Sequence, residues 1–174
     1  MKQEKWFNRK FDFSTQENIF PSIIERLAGT PARVEEKFRS IPPDIQSVRL
    51  NGTWTIKENL GHLIDLEPLW QGRFEDIMNE EPEMRTTDLQ NRKTSEAHHD
   101  AVPIEELLKR FRNIRTKTIK LIQGLTDEQV FRTSVHPRLK TPMRTMDLFL
   151  FVAEHDDHHL ARITEITRIL NDKS

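Results

Sequence analysis

Glu154-His155-Asp156-Asp157-His158-His159-Leu160-Ala161-Arg162-Ile163 is the stretch on which the reading of this 174-residue chain turns. Around it, over residues 148–170, Leu148, Val152, Ile163, Ile166 and Leu170 recur at helical spacing. That is the pattern of an amphipathic helix with one face in a core. Thr141 and Pro142 read as its N-cap and first helical residue, and no proline or glycine follows. With each residue turning about 100°, the apolar stripe centres near His159, with His155 about 40° away and His158 about 100° away. Two histidines thus face the interior one turn apart, and such a pair can offer two imidazole nitrogens to one metal ion. Spacing alone leaves a second reading open, two core-edge histidines satisfied by hydrogen bonds.

Outward from that helix, composition sets the bounds. The length suits one domain, residues 1–174, with a substantial core. Lys and Arg number 27 against 28 Asp and Glu, a net charge of −1, which argues against a broad basic surface for nucleic acid. No cysteine is present, which removes disulfides, thiolate ligands and a cysteine nucleophile and fits the cytoplasm. Residues 1–20 are charged throughout without an apolar core, so no signal peptide is expected. The longest apolar run, residues 148–153, is too short to span a bilayer.

Four helices are expected, with an arm before them. Trp6, Phe7, Phe11 and Phe13 crowd residues 1–14 and are costly to expose, so this arm should pack over a bundle groove or a partner subunit, with a substrate-site lid as the alternative. A short helix over 19–27 is expected to stop at Gly29, and Thr30-Pro31 to open another from Ala32 to Ser40. The arm and short helix therefore take residues 1–30, and the bundle 31–171. Asn51-Gly52 is a turn. Thr55 and Glu58 form a T-x-x-E capping box for a helix running to about Asn79. Polar residues 80–102 read as a long crossover between the second and third helices. Pro103 opens the third helix, whose Arg110, Arg112, Arg115, Lys117 and Lys120 read as a solvated face. Thr126 and Gln129 cap a short turn. No strand is expected. The fold class is all-α, a four-helix bundle with an N-terminal aromatic arm.

Seven histidines stand at 62, 98, 99, 136, 155, 158 and 159. His62 flanks the apolar stripe of the second helix, whereas His98, His99 and His136 read as solvated loop residues. An H-E-x-x-H protease site is excluded, because no Glu follows His155. A di-iron bundle is excluded too, because Glu154 and His158 stand four apart rather than three. Asp156 or Asp157 could steady an imidazole from behind. Asp65, Asp156 and Asp157 are candidate bases by proximity in sequence alone.

Two segments resemble the DinB/YfiT-like family. Trp54-Thr55-Ile56-Lys57-Glu58-Asn59-Leu60-Gly61-His62-Leu63 is similar to its W-[ST]-x-x-E-x-L-x-H-L segment, and residues 154–163 carry its H-x-x-x-H-L-x-x-I signature. They lie about 90 residues apart, on the second and fourth helices. The resemblance covers roughly residues 32–170. It implies a DinB-type bundle, often a homodimer, holding a divalent metal, zinc or nickel, through His62, His155 and His159. Trp54 would pack in the core. The implied activity is a metal-dependent transferase using a low-molecular-weight thiol of the bacillithiol or mycothiol type on an electrophilic small molecule. The alternatives are a metal-dependent hydrolase and a non-catalytic metal- or ligand-binding module. Neither nucleic acid nor membrane is an expected partner, and no catalytic residue is assigned.

Overall fold

A computed structural model describes residues 3–172. The helices are α1 (Phe20–Arg39), α2 (Ile56–Met78), α3 (Arg92–Glu96), α4 (Ile104–Ile122), α5 (Asp127–Phe131) and α6 (Thr145–Asn171). Between α5 and α6 lies a small antiparallel hairpin, β1 (Thr133–Val135) and β2 (Pro142–Arg144). The bundle consists of α1, α2, α4 and α6, and among the described residues no helix is long and apolar enough to cross a membrane.

The core falls into two apolar clusters, which fix the directions of the helices. One contains Phe20 and Ile23 of α1, Trp70 and Ile77 of α2, Ile122 of α4, and Phe149 and Val152 of α6. The other contains Val34 and Phe38 of α1, Ile56 and Leu60 of α2, Leu107 and Phe111 of α4, and Ile163 and Ile166 of α6. Thus α1 and α6 run from the first cluster to the second, and α2 and α4 run back. Each of α1 and α2 packs against both α4 and α6, so α1 and α2 stand at opposite corners. The parallel neighbours α2 and α4 need a connection that travels the length of the bundle, and this explains the long crossover. Between the apolar clusters lies a polar layer holding Glu67, Arg115, Asp156 and three histidines.

Several local expectations are corrected. Gly29 and Pro31 do not divide α1, which is one 20-residue helix with Pro31 inside it. Pro31 has no N–H for the Leu27 carbonyl, and the buried Arg115 guanidinium donates to that carbonyl instead, at 3.4 Å. Burial of Leu27, Thr30, Pro31 and Val34 outweighs the roughly 1 kcal/mol that a helical glycine costs. Thr141-Pro142 does not open the last helix. Pro142 starts β2, and α6 begins at Thr145, where the Asp147 carboxylate accepts from the Arg144 backbone N–H at 2.9 Å. The hairpin went unexpected because three-residue strands are too short to show alternation. Thr55 and Glu58 do form their reciprocal capping box, as do Thr126 and Gln129.

Arg115 is not solvated. It is 1% exposed and bonds Glu67 and Asp156 at 2.5 Å each. Leu121 of α4 is exposed.

Candidate metal centre

His62 comes from α2, and His155 and His159 from the antiparallel α6 beside it. One ligand atom from each lies within 4.8 Å of the others, and all three residues are buried. The Nε2 atoms of His155 and His159 are 3.2 Å apart. The structure therefore brings together the three histidines that the resemblance singled out.

Their ring protons are placed by the second layer of contacts. Asn59 donates its amide to the Thr55 carbonyl at 2.7 Å, which orients Oδ1 toward His159 Nδ1, 2.9 Å away. That oxygen only accepts, so His159 carries its proton on Nδ1 and leaves Nε2 bare. Thr94 donates its hydroxyl to Asp65 at 3.0 Å, and its oxygen lies 3.0 Å from His62 Nδ1. His62 therefore donates from Nδ1 and also keeps Nε2 free. Asp65 in turn accepts from His99 Nε2 at 2.9 Å. His155 Nδ1 is buried without a partner.

Burial is the first cause that holds all three imidazoles neutral, and repulsion from neighbouring rings adds to it at His155 and His159. His62 is pushed down to about 4, Asp65 opposing the shift and His99 adding to it. His155 and His159 lie well below the ordinary histidine value. Neutral imidazole is the ligating form. The bare Nε2 atoms of His62 and His159, with His155 Nε2 beside them and neither thiolate nor carboxylate in the cluster, fit a borderline divalent ion such as zinc or nickel.

The cluster opens on a cavity of about 790 Å³. All three tryptophans stand around it. Trp54 lies 4.6 Å from the His62 ring, Trp70 5.7 Å from His155 and Trp6 4.9 Å from His155. Trp54 is a half-buried cavity wall rather than the core residue expected. The described part of the arm packs on the bundle groove, with Trp6 also against Phe151 and His158. Arg9 anchors it to Glu154 at 2.5 Å.

Other expected roles move. His158 is half-buried beside the cluster but outside the three-histidine group. His99 and His136 are buried, not solvated. Asp156 does not steady an imidazole because Arg115 takes it, and Asp157 pairs with Arg26 and Arg33. Asn59 and Thr94, the residues that do steady imidazoles, were not singled out by sequence. Asn59 falls within the matched segment, three residues before His62, whereas Thr94 sits in the crossover without any pattern to mark it.

Known proteins share this architecture. The Bacillus subtilis protein named "Putative metal-dependent hydrolase YfiT" is 26% identical over 153 residues, covering 83% of this chain and 82% of that protein. A Bacillus pumilus protein bearing the same hydrolase designation is 23% identical over 158 residues, covering 87% and 89%. The solved structure of Bacillus subtilis YfiT, described as a four-helix bundle of unusual topology, superposes with a TM-score of 0.79 at 23% identity over 94% of each chain. That likeness establishes the fold. The family model described as the DinB superfamily matches residues 24–163, and on that match, with the fold it implies, this chain belongs to the DinB superfamily.

Proposed function

We propose that the chain is a metal-dependent enzyme in which His62, His155 and His159 hold a divalent ion, zinc or nickel, at the floor of the cavity. The observation that supports this best is the pair of fixed tautomers at His62 and His159, which turn bare Nε2 atoms toward one cluster. Among the described residues no fourth His, Cys, Asp or Glu joins the group, as suits a catalytic rather than a closed structural site. An ion held by these three histidines would supply Lewis acidity, which would lower the pKa of a water or thiol nucleophile.

The protein's own contribution is positioning and exclusion of water. Trp54, Trp70 and Phe151 give the cavity apolar walls, suited to a small organic electrophile. Among the described residues the cavity lining holds two carboxylates, Glu165, which pairs with Arg162, and Glu4, which accepts from Asn8, and neither belongs to the histidine cluster as a base would. This favours an external low-molecular-weight thiol, of the bacillithiol or mycothiol type, over water. Hydrolysis is the second reading, supported by the names of the relatives.

Metal-loaded protein mixed with a thiol and an electrophilic aryl halide tests the choice. Thiol-dependent product formation, lost on chelation, is the expected result. Turnover without thiol would favour the hydrolase, and none with either nucleophile would contradict both.

A further inference from the structure

On the wall of the same cavity stand three groups that the metal centre does not use: Arg73, His136 and Arg138. Arg73 projects from α2 and is 2% exposed, yet no carboxylate pairs with it among the described residues. The nearest candidate, Asp76, is saturated by the side chain and backbone N–H of Arg85. A guanidinium this deep without a counter-ion is costly. Burial, and then repulsion from Arg138, brings it down to about 10.

His136 makes the imbalance sharper. It is 2% exposed, and its Nδ1 accepts the backbone N–H groups of Arg138 and Leu139 at 3.2 and 3.1 Å. Nδ1 is therefore bare, and a neutral ring carries its one proton on Nε2. That Nε2–H lies 3.0 Å from Arg73 Nη1, and a guanidinium has only donors to offer. Two donors thus face each other with no acceptor between them. Arg138, the third group, has a buried Nη2 with no partner, while its guanidinium lies over the Phe7 ring at 5.2 Å.

We propose that Arg73, His136 and Arg138 form an oxyanion-binding subsite, and that the substrate of this cavity carries a carboxylate or phosphate group that docks there. The proposal rests on reading the cavity as a substrate pocket. An oxyanion accepts from all three groups, relieves the donor-to-donor contact and neutralises the buried charge. It also orients the ligand, because the anion at this wall fixes which end points toward the histidines.

The test uses the metal-free full-length protein at constant ionic strength, titrated separately with inorganic phosphate and with acetate. Thermal midpoint and the His136 ring resonances by NMR are the readouts. The expected result is a saturable rise in midpoint with a shift of His136 Nε2 for at least one anion. Arg138→Gln should weaken the apparent affinity tenfold or more, and Arg110→Gln, an exposed arginine on α4, should leave it unchanged. A response to phosphate alone marks a phosphate group on the substrate, and a response to acetate alone marks a carboxylate. No saturable shift of His136 with either anion in the native protein would overturn the proposal, as would equal affinity in Arg138→Gln. Because no metal is present, failure here leaves the three-histidine reading standing, and success does not depend on it.

Discussion

Arg115 of α4 and Asp156 of α6 form an ion pair of 2.5 Å with both side chains 1% exposed, directly behind the histidine cluster. Glu67 of α2 closes on the same guanidinium and accepts a hydrogen bond from Thr118. With its bond to the Leu27 carbonyl of α1, one cation thus ties all four bundle helices at the layer where the apolar clusters part. Removing one partner strands a buried charge, so Arg115→Ala should cost about 3–5 kcal/mol. Burial raises the Glu67 carboxyl above its ordinary range, so Glu67→Gln should be milder than Asp156→Asn. Urea denaturation of the three variants measures the order.

Acid should destabilise the metal-free protein. His62 has a folded value of about 4 against an ordinary 6.5, and His155 and His159 shift the same way. The unfolded chain therefore binds more protons than the native one below 6.5. Stability is present in full above about 6.5 and is lost as pH falls through the folded value of about 4. The thermal midpoint followed from pH 7 to pH 4 should drop, and metal should hold it up at the higher end of that range. A flat profile in the metal-free protein would contradict the burial of neutral rings.

Gly61 and Thr94 should matter although neither ligates. A Cβ at Gly61 would stand 2.2 Å from His99 Cδ2, and His99 is held by the Asp65 that also fixes Thr94. Gly61→Ala should therefore destabilise by about 1–3 kcal/mol and loosen His62. Thr94→Val removes the acceptor for His62 Nδ1 and should weaken metal affinity about 10–100-fold. Competition with a chromophoric chelator reads both.

Trp6 is expected to act on substrate rather than on metal. Its ring covers His155 and Phe151 from the arm, and Trp6 lines the cavity. Trp6→Ala should leave metal stoichiometry unchanged while raising KM more than it lowers kcat. Loss of metal in this variant would show instead that the arm holds the centre together.

Much of this was legible in sequence because it rests on local periodicity. The i,i+4 spacing of His155 and His159 on an apolar face, and the capping box of Thr55 and Glu58, depend on neighbours within two turns. What escaped depends on distant partners. Arg115 looks like its solvated neighbours until Glu67 and Asp156 are placed beside it. Pro31 looks like a helix start until Arg115 takes up the carbonyl it leaves free. His99 and His136 lie in segments without period, and their burial follows from Asp65 and from the β1–β2 hairpin, neither of which leaves a local mark.

The central claim is that His62, His155 and His159 hold one divalent ion. Elemental analysis of the purified protein, native and carrying His155→Ala with His159→Ala, tests it most directly when repeated after chelation and refilling with zinc or nickel. The account predicts close to one equivalent of metal in the native protein and none in the double variant, with helical content retained in both. Native protein that stays empty after refilling, or a folded double variant that holds as much metal as the native chain, would contradict it.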